Sequence, residues 1–186
     1  MSLNAGMLHY GRLEVLESSD SVCVDNGWRT EQPDTRKSLV IWDSPDTLKI
    51  GHAEDSQENS FRVLLAEDNP LDQVSIRRLL EKQGLDVSLA SDGRRAVEMY
   101  EAGEYDLVLL DILMPEMDGF EVASKIREHE QTTGNRIPLI ALTAYSLKAV
   151  YDKCRSVGMN GYLSKPVAGS DLRSLCSVLM PVRMNL

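Results

Sequence analysis

Four successive apolar residues, Leu107, Val108, Leu109 and Leu110, run without interruption into a carboxylate, Asp111. A short unbroken apolar run suits a strand covered on both faces, the habit of parallel sheets lying under helices. Beyond it, Pro115 and the Asp118-Gly119 pair read as turn chemistry ahead of a helix. In open α/β sheets, ligands gather just past the carboxyl ends of strands, so Asp111 stands where chemistry would be found. Alone, it would be read as a strand-end or capping aspartate.

The same grammar repeats on either side. Residues 63–66 form an apolar run ending on Glu67-Asp68-Asn69, and Pro70 suits the first turn of a helix capped by Asn69. That helix carries Val74, Ile76, Leu79 and Leu80 and stops at Gly84. Residues 87–90 form a second strand, followed by a helix with Ala96, Val97 and Tyr100. After the strand ending on Asp111, a helix uses Phe120, Val122, Ala123 and Ile126. Residues 138–142 give a fourth strand running into Thr143, then a helix with Ala149 and Val150. Residues 161–163 give a fifth, ending on Ser164-Lys165-Pro166, and the last helix carries Leu172, Leu175, Val178 and Leu179. Five strands alternating with five helices predict right-handed crossovers and a doubly wound parallel sheet with helices on both faces, an α/β domain over residues 61–182.

In such a sheet the strand-end residues Glu67, Asp68, Asp111, Thr143 and Lys165 emerge along one edge. Carboxylates pressed together repel, and one would take up a proton unless a cation sat among them. Magnesium answers this need, because it takes oxygen ligands and is typically held by one or two carboxylates plus a phosphate. Lys165 adds a second cation and Thr143 a hydroxyl donor. This is equipment for phosphoryl transfer, in which positioning and electrostatic stabilisation dominate, with Asp111 as the nucleophile.

The stretch 61–180 resembles a response-regulator receiver domain of two-component signalling. The likeness rests on residues 64–69 (LLAEDN), 109–119 (LLDILMPEMDG), 141–144 (ALTA) and 161–166 (GYLSKP). The wording is closest to receivers of hybrid histidine kinases. The resemblance implies a flavodoxin-like five-stranded sheet of order 2-1-3-4-5, an order that a chemotaxis member of this family also has. It further implies Asp111 as phosphoacceptor, with Mg2+ held by Asp68 directly, by Glu67 through water, by Asp111 and by the backbone carbonyl of Leu113. Thr143 and Lys165 would contact the phosphoryl oxygens, and Tyr162 would be a switch aromatic that turns inward on activation. Pro166 would follow a cis peptide bond. The donor would be a histidine kinase or a histidine phosphotransfer protein. The downstream target would read the face made by the fourth helix, fifth strand and fifth helix. The resemblance also implies that Leu113 and Tyr145 would flank the path of a hydrolytic water, and neither suits orienting one.

Residues 1–42 are a segment whose fold the sequence leaves open. It holds three short apolar runs that fit strands and a hairpin turn at Asn26-Gly27 as one option. Residues 43–60 read as an acidic flexible linker. Residues 11–15 faintly resemble the closing strand of a kinase domain, so a C-terminal fragment of a hybrid histidine kinase is one alternative. An aspartate-nucleophile, Mg2+-dependent phosphatase is another, but neither its paired-aspartate spacing nor a cap insertion is found. With no phosphorylatable-histidine motif and no ATP-binding glycine box, the chain is not expected to be a kinase by itself. His9 and His52 read as surface residues. The first sixty residues supply no member of the strand-end cluster and are expected to be dispensable for its chemistry.

Charge excludes one class of partner. The net charge is −9, with 5 basic and 11 acidic side chains in residues 1–60 against 15 and 18 in residues 61–186. An acidic chain lacks the cationic footprint that nucleic acid requires, so direct DNA binding is not expected. No apolar run is long enough to span a bilayer and no secretory signal is seen. Cys23, Cys154 and Cys176 have no metal spacing and read as reduced thiols of a cytoplasmic protein.

Overall fold

The computed structural model describes residues 22–24, 38–42, 60–144 and 148–180. His9, His52, Tyr145, the Asn26-Gly27 turn and residues 11–16 and 43–59 lie outside the described residues. The elements are β1 (Val22–Val24), β2 (Leu39–Ile41), β3 (Arg62–Ala66), α1 (Pro70–Glu81), β4 (Asp86–Ala90), α2 (Gly93–Ala102), β5 (Leu107–Asp111), α3 (Gly119–Thr133), β6 (Leu139–Thr143), α4 (Lys148–Ser156), β7 (Gly161–Ser164) and α5 (Gly169–Leu179).

Local chemistry sets the helix starts. Asn69 accepts from the amides of Leu71 and Asp72 at 2.9 and 3.4 Å, with Pro70 just inside the helix. Asp92 accepts from Arg95 N at 2.7 Å, and Asp118 and Glu121 close a reciprocal capping box. Gly134, at φ 74°, ends α3 in the left-handed conformation that glycine adopts without a Cβ penalty.

The sheet runs β1-β2-β7-β6-β5-β3-β4. Its stretch β4-β3-β5-β6-β7 is parallel throughout and is the flavodoxin-like 2-1-3-4-5 order. Apolar cores fill both faces. One joins Leu64, Val108, Leu110 and Tyr162 to α2 and α3, and the other joins Leu65, Leu109 and Leu163 to α1 and α5. Every residue of β5 and β6 is buried, which is why those strands read as continuous apolar runs.

The sheet has seven strands rather than five. β2 pairs antiparallel with β7, setting Leu39 opposite Leu163, Val40 opposite Tyr162 and Ile41 opposite Gly161, and β1 pairs parallel with β2. Residues 39–42 are buried, and Leu39 and Ile41 belong to the core shared with α1 and α5. Without β2, β7 would be an edge strand with unpaired backbone groups. Among the described residues no helix is long and apolar enough to cross a membrane.

Candidate functional site

The strand register assembles the site. Ala66 of β3 sits opposite Leu110 of β5, so Glu67 follows beside Asp111, the last residue of β5. On the other side Asp111 faces Leu142, and Thr143, which closes β6, pairs with Ser164 of β7. Lys165 comes immediately after β7, and its amide donates to the carbonyl of Thr143 at 2.8 Å. The Lys165-Pro166 peptide is cis.

The Lys165 side chain crosses the edge of the sheet. Its Nζ lies 2.7 Å from Asp111 Oδ2, 2.6 Å from Glu67 Oε2 and 3.6 Å from Asp72 Oδ2. Asp111 Oδ1 accepts from the amide of Leu113 at 3.1 Å, and Glu67 Oε1 accepts from the amide of Asn69 at 3.2 Å. One oxygen of Asp111 is therefore fixed by backbone, while the other faces the ammonium.

Glu67 is fully buried. Its Oε2 is close to Nζ but makes no well-directed hydrogen bond, so the contact is an ion pair that leaves a buried lone pair without a donor. Burial raises the Glu67 carboxyl to about 7, and the neighbouring Asp111 adds to the rise, while Lys165 opposes both. Burial pulls the Lys165 ammonium down, yet its hydrogen bond to Asp111 and the negative charges of Asp111 and Glu67 outweigh that and hold it above its ordinary value.

Glu67, Asp68 and Asp111 each place a carboxylate oxygen within 4.8 Å of the others'. Glu67 and Asp111 are buried and Asp68 is exposed. An all-oxygen set containing an unsatisfied buried lone pair fits a hard divalent cation of the magnesium class. A soft metal would want thiolate or imidazole, and none is in the set.

Of the residues the sequence put at the site, Glu67, Asp68, Asp111, Thr143 and Lys165 share this edge, and Leu113 contributes its amide. Tyr162 is elsewhere: it is buried within β7, with its ring 6.4 Å from that of Trp42. Sequence reasoning missed Asp72 and Gln73. Asp72 reaches Lys165, and Gln73 Nε2 donates to the carbonyl of Glu67 at 2.6 Å. A signal existed, since both lie in the first turn of a helix that starts three residues after a strand-end carboxylate. Gly119 was read only as turn chemistry, but a Cβ there would strike the carbonyl oxygen of Asp111.

Residues 63–177 match the response regulator receiver domain family. A hybrid signal transduction histidine kinase of Dictyostelium discoideum is 40% identical over 117 residues, 60% of this chain and 7% of that protein. Histidine kinase 1 of Arabidopsis thaliana is 32% identical over 170 residues, 72% of this chain and 14% of that protein. The chain thus spans a small part of the curated relatives it matches. Among solved structures, the receiver domain of a Pseudomonas aeruginosa sensor histidine kinase, with magnesium in its active-site cleft, is 37% identical at TM-score 0.58, covering 64% of this chain and 96% of that one. The receiver domain of the Saccharomyces cerevisiae regulator Ssk1, co-crystallised with the histidine phosphotransfer protein Ypd1, is 28% identical at TM-score 0.62, covering 68% and 94%.

Proposed function

The chain belongs to the response regulator receiver domain family, and from that premise we propose that it accepts a phosphoryl group from a phosphohistidine onto Asp111 and thereby switches an interaction surface. The observation that carries this reading is the convergence of Asp111, Glu67 and Lys165 at the strand ends, with Asp111 Oδ2 facing the ammonium.

Asp111 Oδ2 attacks phosphorus. The new P–O bond forms as the P–N bond breaks, and the imidazole leaves with that electron pair. The Leu113 amide holds Oδ1 and so aims the carboxylate. Lys165 shifts its ammonium from the carboxylates onto the phosphoryl oxygens, and the Thr143 hydroxyl adds a donor. Glu67, Asp68 and Asp111, with the carbonyl of Leu113, would hold Mg2+. When bound, it offsets the carboxylate charge that would otherwise repel an anionic donor. Asp111 thus takes the covalent bond while Glu67 and Asp68 shape the site around it, and the chain acts as a phosphoacceptor.

The rim suits a protein donor. Leu113, Leu71 and Val74 are exposed large apolar side chains on the loop after β5 and on α1. Exposed apolar side chains on the segments that also carry Asp72 and hold Asp111 Oδ1 suit the docking of a protein partner. The yeast complex of a receiver with a phosphotransfer protein supports a partner of that kind, and a histidine kinase would present the same chemistry. On the other flank, α4, β7 and α5 would form the face read by a downstream target.

The test is intact mass after incubation with acetyl phosphate. One added phosphoryl group is expected, dependent on magnesium and absent in Asp111→Asn. Equal labelling of Asp111→Asn, or labelling that survives a chelator, refutes the reading.

A further inference from the structure

We propose that the edge of β7 is a strand-docking site, that residues 38–42 of this chain occupy it while Asp111 is unmodified, and that phosphorylation of Asp111 loosens them. The inference rests on the phosphoacceptor reading and concerns what that event does at a distance.

The docking is built from both backbone and side chains. Trp42 N donates to Asn160 O at 3.0 Å and Ser164 N donates to Ser38 O at 2.7 Å, one at each end of the pairing. The indole Nε1 of Trp42 donates to Met159 O at 2.7 Å, and its ring meets Tyr151 of α4 edge-on at 5.1 Å. Ser38 Oγ donates to Asp171 of α5 at 2.8 Å. Five residues thus touch α4, β7 and α5 together. Position 161 is shaped for them: a Cβ on Gly161 would strike the carbonyl oxygen of Val40. A main-chain ladder plus a buried aromatic anchor is the usual form of strand addition to a sheet edge.

The coupling lies in two neighbouring amides. Ser164 N points away from the sheet centre to Ser38, and Lys165 N points toward it to Thr143. Lys165 is also the residue whose ammonium bridges Asp111 and Glu67. A phosphoryl group on Asp111 draws Lys165 and Thr143 toward itself. Residues 164 and 165 then move toward β6 and away from β2, stretching the Ser164–Ser38 bond. Tyr162 lies opposite Val40 and beside Trp42, so any repacking of that ring is felt by the same segment. Release of residues 38–42 would expose a strand edge flanked by α4 and α5, open to a partner that supplies a strand of its own. By linkage the effect is reciprocal, so weakening the docked segment favours phosphorylation by the same factor.

The experiment follows amide hydrogen exchange in the full chain with magnesium, before and after acetyl phosphate, with intact mass recorded on the same samples. The Trp42 and Ser164 amides are expected to exchange about fivefold or more faster once Asp111 is phosphorylated, within the usual range of allosteric coupling, and β3 and β5 amides to stay unchanged. Asp111→Asn should show no difference. Trp42→Ala and Gly161→Ala should reach a higher phosphorylated fraction at fixed donor. Full phosphorylation with unchanged or slower exchange at Trp42 and Ser164 overturns the inference while leaving the phosphoacceptor reading intact. Absence of any added phosphoryl mass overturns both.

Discussion

Arg127 of α3 is the buried charge whose removal should cost the fold most. Its Nε donates to Gly158 O at 2.8 Å, one terminal nitrogen to Glu130 Oε2 at 2.5 Å and Ile137 O at 3.0 Å, and the other to Asn160 Oδ1 at 2.6 Å. Its side chain is 10% exposed and that of Glu130 5%. Burial lowers the Arg127 guanidinium from its ordinary value, and the Glu130 carboxylate opposes that shift. Arg127→Met keeps much of the volume but strands Glu130 and two carbonyls. Breaking a buried pair from one side costs about 3–5 kcal/mol, and the added carbonyls place the expectation near the top of that range. In urea, with a slope of about 1–3 kcal/mol/M, the midpoint should fall by about 2 M. Glu130 Oε1 also accepts from Tyr100 OH at 3.1 Å and Ile137 N at 2.9 Å. Glu130→Gln retains that acceptor and removes the charge. The double variant Arg127→Met/Glu130→Gln should therefore be about 2 kcal/mol more stable than the sum of the single effects implies. The network lies at the start of β6 and β7, opposite the carboxylates, so labelling of Asp111 in the folded variant should be unchanged. A cost below about 1 kcal/mol for Arg127→Met, or strict additivity in the cycle, would refute the reasoning.

Other consequences follow from single contacts. Glu67, raised from 4.5 to about 7 mainly by burial, should make the metal-free fold less stable as pH rises from 5 to 8. A carboxyl whose folded value is raised contributes stability that is present below its unfolded value and lost as pH climbs through the folded one. The loss is about 3 kcal/mol at 1.36 kcal/mol per unit, and melting in chelator should show a slope that Glu67→Gln flattens and magnesium offsets at pH 8. Gly119→Ala pushes a methyl group into the Asp111 carbonyl, so it should cost about 1–3 kcal/mol by denaturation and slow labelling of Asp111 several-fold. Leu113 is exposed beside the acceptor and cannot orient a water, so Leu113→Asn should shorten the lifetime of the phosphorylated form; equal decay of the two proteins would rule that role out.

The sequence by itself determined the alternation of strands and helices and the order of polar residues along one sheet edge. Those features are written in local terms. An apolar run that ends on Glu67 or Asp111 reports burial of its own strand, and Asn69-Pro70 or Asp118-Gly119 sets a helix start through bonds spanning three or four residues. The identities of Asp111, Asp68, Thr143 and Lys165 needed nothing beyond that order to be singled out.

Only the tertiary structure decided the rest. The pairing of three-residue β2 with β7 joins positions more than a hundred residues apart, and its short apolar run has no period that could name a partner. Arg127 and Glu130 look like a solvated ion pair on a helix, because the acceptors that bury Arg127, Gly158 O and Asn160 Oδ1, arrive from a loop 31 and 33 residues later. Asp72 and Gln73 join the site because α1 begins against the strand ends. The state of Glu67 is likewise not a property of its neighbours in sequence: its desolvation and its ion pair with Lys165 exist only once β3, β5 and the end of β7 are brought side by side.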